Sequence, residues 1–212
     1  MVAPSVTWLP GPVVRVADHD VAGNPGHDEI VPLSAPLSDI LSAEFDGALI
    51  SIGVSADVLL LAALGRAVER TLGAGSIAVD ITDGAFAGGT AALRCASVQD
   101  TDATAALVEA EGSLTLSTVP NAAAVPEAEV ALSPTGSAPV ELSATRALQL
   151  CASRRDELVQ LDWWYDTRRF NSYTVEELAE QFALALIELT SEAAAPLHGA
   201  VIGTATSFAH AG

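Results

Sequence analysis

Leu158-Val159-Gln160-Leu161-Asp162-Trp163-Trp164-Tyr165-Asp166, running through Thr167-Arg168-Arg169-Phe170-Asn171-Ser172 into Tyr173 to Leu189, decides the fold. In its first part Val159, Leu161, Trp163 and Tyr165 share one face, while Gln160, Asp162, Trp164 and Asp166 share the other. A period of two with one apolar face predicts a half-buried strand. Upstream, Val140, Leu142, Ala144, Leu148 and Leu150 repeat the alternation, interrupted at Arg146, and Arg154-Arg155-Asp156-Glu157 supplies a polar connection. Together these segments predict a β-hairpin. Downstream, Thr174 is placed as a helix N-cap, Glu177 closes a capping box and Tyr173 faces Leu178 as a hydrophobic staple. Leu178, Phe182, Ala185 and Leu189 follow at helical spacing, so that face is expected on the sheet, with Glu176, Glu180, Gln181 and Glu188 turned outward.

Working outward, the rest of the chain alternates similar elements. Ile30 to Leu33 reads as a short strand, and Pro36 to Leu41 as a helix with proline in its first turn. Leu49 to Val54 is a strand or the approach to the next helix. Ser55 then caps a helix over Ala56 to Leu72, ended by Gly73 in a left-handed conformation. Because Val58 to Leu64 is apolar on every side, that helix is expected to be buried. Ile77 to Ile81 reads as a buried strand, Asp83-Gly84 and Gly88-Gly89 as a loop, Ala91 to Val98 as a strand, and Asp102 to Glu111 as a short helix. Ser113 to Val130, rich in Ala, Pro and Thr with a strand-like Leu114-Thr115-Leu116, reads as a loop region. The order strand, helix, strand predicts an α/β fold with a single mixed sheet and packed helices.

Prolines 4, 10, 12 and 25 punctuate residues 1–27, which read as an N-terminal arm or linker; residues 28–195 form the expected domain and 196–212 a flexible tail. Trp8 is either a docking anchor for a partner or part of an arm folding back on its own core. The 212 residues suit one domain or slightly more, at about 150 residues per domain. Acidic residues outnumber basic ones 27 to 9, giving a net charge of −18 spread along the chain. That balance repels phosphate backbones, so nucleic acid is excluded as a partner and solubility is the plain reading. The apolar run Val58 to Leu64 is far short of the roughly 20 residues a membrane helix needs. The start carries no secretory pattern, and a cytoplasmic location is expected. Cys95 and Cys151 lack metal-ligand spacing; they are expected as buried thiols in a reducing compartment, with a disulfide as the alternative.

The run from Leu158 to Leu189 resembles the C-terminal end of the condensation domains of nonribosomal peptide synthetases, where a strand ending in an aromatic pair, a short loop and a helix close the domain. Ser55 to Ile81, SADVLLLAALGRAVERTLGAGSIAVDI, is similar to the helix and strand opening the second half of such domains. The likeness covers about Ile30 to Glu192. It implies one half of the chloramphenicol-acetyltransferase-like fold, which has two similar α/β halves and an active site in the tunnel between them.

In that family, acyl transfer between carrier-bound substrates depends on a His-His-x-x-x-Asp-Gly motif in the first half, whose second His positions or activates the nucleophile. No such motif occurs in this chain. His19, His27, His198 and His210 all lie toward the ends, leaving no imidazole from Asp28 to Leu197. Ile81-Thr82-Asp83-Gly84-Ala85 stands where the family shows Glu-Gly-His-Gly-Arg, and Gly89-Thr90-Ala91-Ala92-Leu93 replaces an aromatic strand. No Gly-x-Ser-x-Gly elbow is present, and Gly73 to Gly75 follows a helix, the wrong place for a phosphate loop. Asp80 and Asp83 flank a loop and are either solvated carboxylates or cation ligands. The resemblance therefore implies an incomplete condensation-type half-domain without a catalytic residue, metal or cofactor of its own. Its expected partners are a second copy, a complementary half on another chain or segment, and a phosphopantetheinyl carrier protein. Trp164 is expected under a crossing element or exposed to a partner. Arg168 and Arg169 are a solvated loop or a contact for an acidic carrier. The alternative function is one component of a split acyltransferase whose His-bearing half lies elsewhere.

Overall fold

The structure is a computed structural model, and it describes residues 12–117 and 127–194. Among these residues six strands form one mixed sheet: β1 (Ile30–Ser34), β2 (Gly75–Ile81), β3 (Thr90–Cys95), β4 (Val130–Ser133), β5 (Leu148–Arg155) and β6 (Leu158–Asp166). They lie in the order β1-β6-β5-β4-β2-β3, with β4 parallel to both β2 and β5 and antiparallel pairs toward each edge. Among the described residues four α-helices accompany the sheet: α1 (Asp39–Ile52), α2 (Ala56–Leu72), α3 (Ala103–Ser117) and α4 (Ser172–Glu192). The α/β class with a single mixed sheet is as the sequence predicts.

The inner face of the sheet carries Ile77, Val79, Leu93, Val130, Leu132, Leu148, Leu150, Leu161 and Trp163, all buried in one core with the helices. Trp163 meets Phe182 of α4 edge-to-face, with centroids 5.5 Å apart and planes at 85°, a favoured aromatic geometry. Buried at every position from Asp57 to Val68, α2 is the central helix, as its all-round apolarity predicts. Its N-terminus is held by Ser55, whose Oγ accepts the Val58 amide; Gly73 ends it with φ +108°, positive but outside the αL region. Buried Arg66 on this helix donates to the carbonyls of Ala96 and Thr101 and pairs with Glu188 of α4. Glu188, expected outward, is thus drawn in between Arg66 and Arg70.

The β5–β6 hairpin forms, but with different limits. Leu148 begins its first strand, and Arg154 and Arg155 belong to that strand; only Asp156 and Glu157 turn, both at positive φ (50° and 69°). Two consecutive left-handed residues define the tight hairpin turn whose twist matches the strands. Residues Val140 to Ala147, expected as strand, instead run across the sheet's outer face. The helix expected from Pro36 begins at Asp39 under a Ser38 cap and absorbs Leu49 to Ile52. Leu114-Thr115-Leu116 ends α3 and is not strand-like. At the end of the expected loop region, β4 forms a central strand that the sequence reading did not assign, buried at all its positions.

Thr174 does not cap α4: the N-cap is Asn171, which makes no side-chain cap bond, and Tyr173 is 67% exposed, so no staple closes. The cap comes from the N-terminal segment instead. Asp18 accepts the Asn171 amide at 2.8 Å and the Thr174 hydroxyl at 3.1 Å. That segment lies along β2, in line with β4: Val14 N donates to Ser76 O, Ser76 N donates to Pro12 O, and Val16 and Ala17 are buried. Among the described residues no single helix is long and apolar enough to cross a membrane.

Candidate functional site: the outer face of the sheet

A parallel pair needs a crossover connection. Between β4 and β5 this crossover is irregular chain, residues 134–147, lying over the outer face of the sheet. Asp83, just after β2, anchors its start by accepting Ser133 Oγ (2.8 Å), Thr135 Oγ1 (2.6 Å) and the amides of Thr135, Ser137 and Ala138 (3.2, 2.7 and 3.1 Å). Burial pushes the Asp83 carboxyl up, but the bonds from Thr135, Ser133 and Ser137 outweigh it and hold the group below its ordinary value. Gly136 lies at φ +64° against β5, where an added Cβ would come within 2.6 Å of Ser153 Cβ. Behind Asp83, the buried Asp57 at the start of α2 is shifted the other way, by burial with Asp83's charge adding to it.

Farther along the crossover, Arg146 pairs with Asp80 of β2, which also accepts Thr90 Oγ1 at 2.7 Å. Between this pair and the crossover lies a cavity of about 350 Å³ lined by Asp80, Thr82, Gly88, Gly89, Glu141 and Arg146 among others. It sits at the carboxyl end of β2, where ligands of open α/β sheets are commonly held. The Thr82 hydroxyl and the Asp80–Arg146 pair can orient a ligand by hydrogen bonding, and among the described residues no imidazole lines it. Sequence reading singled out Asp80 but not Arg146, which registers locally only as a break in alternation. Asp80 and Asp83 are engaged by protein donors, and among the described residues no group of His, Cys, Asp and Glu is arranged to hold a metal.

The residues expected to meet a partner are placed as follows. Trp164 is half-buried on the outer face of β6, opposite Gln149 of β5 and Pro32 of edge strand β1. Arg168 forks onto the fully buried Asp166 (Nε–Oδ1 3.0 Å, Nη2–Oδ2 2.7 Å), pairs with Glu29 and donates to Gly23 O. Burial pushes the Asp166 carboxyl up, and Arg168 with Arg169 more than reverses it. Arg169 is buried; it donates to the carbonyls of Ala144 and Thr145 and to Glu129, whose other oxygen accepts Val16 N. The two arginines thus stitch the N-terminal segment, the crossover and the β6–α4 corner together. Trp8, His198 and His210 lie outside the described residues. His19 and His27 are exposed, His19 Nε2 lying 3.3 Å from Asn171 Oδ1. Cys95 and Cys151 are free buried thiols, pushed by burial up to about 12 and about 11, so neither supplies a thiolate at neutral pH.

The fold is shared with solved structures. The epimerization domain from the third module of tyrocidine synthetase B matches with a TM-score of 0.64 at 14% identity, over 88% of this chain and 52% of that one. The chain has the condensation-type fold. The X-domain solved with OxyB from teicoplanin biosynthesis matches at TM-score 0.62 and 14% identity, over 88% of this chain and 50% of that one. A structure from the enacyloxin polyketide synthase, described for condensation domain-mediated chain release, matches at 0.56 and 14%, over 85% and 45%. The chain spans about half the length of each. In sequence it is 28% identical, over 236 aligned positions, to a component of the phenolphthiocerol/phthiocerol polyketide synthase of Mycobacterium tuberculosis; the match takes in 82% of this chain and 15% of that protein. No family model matches the chain.

Proposed function

We propose that this protein is an incomplete condensation-type half-domain, comprising residues 28–195 with the segment 12–27 stitched to it, that serves as an interaction or scaffold module in nonribosomal peptide or related acyl-transfer biosynthesis. The observation that carries the proposal is the match to about half of each condensation-type structure, together with a sequence that carries no histidine from Asp28 to Leu197. In the resembled family the base of acyl transfer belongs to the other half. The outer face, with Trp164 and the cavity beside Arg146, then forms one wall of a cleft that a second copy or a complementary half completes. A phosphopantetheinyl carrier protein is the further partner this reading implies.

A second reading, a component of a split acyltransferase, is favoured by the same half-length match, because it supplies a place for a His-bearing partner. An acyl-transfer assay with a loaded carrier separates them. The lone protein is expected to give no turnover, and turnover by it refutes the non-catalytic reading. Activity that appears only on adding a His-His-x-x-x-Asp-Gly half supports the second reading.

A further inference from the structure

The charges around the cavity under the crossover do not balance. Arg146 is the one cation among its lining residues, and that guanidinium is already committed: Nη2 donates to Asp80 and Nη1 to the Glu141 carbonyl at 3.4 Å, while Nε is sealed from solvent. Asp80 is engaged on both oxygens, because Thr90 Oγ1 donates to Oδ1 at 2.7 Å. The pair therefore cancels, and the Glu141 carboxylate is left as the net charge of the lining. No hydrogen bond or ion pair among the described residues reaches that carboxylate, although the backbone carrying it is fixed. Glu141 N donates to Oε1 of the fully buried Gln149 at 3.1 Å, and its carbonyl takes the Arg146 bond.

Beside these groups Ile81, Ala138 and Pro139 supply an apolar wall, and a Cβ added at Gly88 would meet nothing within 4 Å, so there is open space at that end. A volume of about 350 Å³ lies at the small end of ligand cavities, which run from about 300 to 1,000 Å³. An anion finds no free cationic donor here, and the net charge of −18 repels it. A cation finds Glu141. We propose that this cavity binds a small organic cation, a primary alkylammonium whose head pairs with Glu141 and whose short apolar body lies against Ile81, Ala138 and Pro139. An adjacent carboxylate favours the charged form of an amine, so the ligand is held protonated, without the lone pair an acyl acceptor needs: the site recognises and does not turn over. The head can belong to a free amine or to a lysine side chain of a partner protein. Every contact comes from this chain, so the proposal does not rest on the half-domain reading.

Titration of the full chain with n-butylammonium chloride, followed by amide shifts in proton–nitrogen NMR correlation spectra, tests this. Saturable shifts are expected at Thr82, Gly88, Gly89 and Glu141. Binding should weaken about tenfold in Glu141→Gln, which removes the charge-assisted bond, and also in Ala138→Leu, which fills the cavity and leaves the charge in place. Sodium butyrate and n-butanol, with the same body and no positive charge, should bind more weakly by a similar factor. Nα-acetyl-lysine N-methylamide separates the two sources: binding at least as tight as butylammonium assigns a partner's lysine, and weaker binding assigns a free amine. Glu141 is exposed, so Glu141→Gln should stay folded, and it decides the matter even where Ala138→Leu disturbs the crossover. The absence of saturable shifts, shifts indifferent to Glu141→Gln, or equal binding of n-butanol overturns the proposal. None of these results bears on the acyl-transfer assay, so the half-domain reading stands or falls separately.

Discussion

Removing the carboxylate of Asp18 tests whether the N-terminal segment belongs to the folding unit. In the structure that carboxylate is the side-chain cap of α4, accepting the Asn171 amide and the Thr174 hydroxyl, and Asn171 provides none itself. Loss of a helix cap costs about 1 kcal/mol. Thr174 is 4% exposed, so its orphaned hydroxyl adds about another 1 kcal/mol. Asp18→Ala is therefore expected to destabilise by about 2 kcal/mol, a fall in melting temperature of roughly 4 to 8 °C for a domain this size. Urea unfolding should show a lower midpoint with an unchanged slope. A double-mutant cycle with Thr174→Val isolates the side-chain contact, and a coupling of at least about 0.5 kcal/mol is expected. A loss under about 0.5 kcal/mol for Asp18→Ala, with additive behaviour in the cycle, would refute the assignment of the cap.

Asp83 and Asp166 both have folded-state carboxyls held below the ordinary value, so their contribution to stability is present above about pH 4 and lost as pH falls through the folded values; Asp83→Asn should flatten part of the acid limb in a urea-midpoint series from about pH 5 to 2. Asp57, shifted upward by burial, has the opposite sign, and a variant Asp57→Asn should lose least stability where pH is highest, read in the same series. Arg66→Met leaves Glu188 and two carbonyls without their buried cation, and should cost about 3 kcal/mol in chemical unfolding. Replacing the turn by Asp156→Asn with Glu157→Gly supplies residues that accept the observed positive φ values, and is expected to raise stability by about 1 kcal/mol by thermal unfolding.

The candidate site was partly legible before folding. The split of β6 into two faces is written in Val159 to Tyr165, and it correctly sets Trp163 inside and Trp164 outside. Arg168 and Arg169 drew notice as basic residues in an acidic chain, but apart from the nearby Asp166 their acceptors, among them Gly23, Glu29, Glu129 and Ala144, come from segments distant in sequence. The cavity at Asp80 and Arg146 depends on a crossover whose alternation at Val140, Leu142 and Ala144 reads as strand but forms none, so only the fold reveals which groups it brings together.

By itself the sequence determined the elements whose local period outweighs everything else: β6, the all-apolar α2, β2 and the buried stripe of α4. Those patterns follow from a residue's own neighbours, because side-chain direction repeats every two or 3.6 residues. Tertiary structure alone decided that the four residues of β4 become a central strand, that Asp18 caps a helix far along the chain, and that Glu188 turns inward to Arg66. Each of these rests on a partner contributed from elsewhere in the chain, and the choice among partners is made by burial and hydrogen-bond satisfaction once the layers have packed.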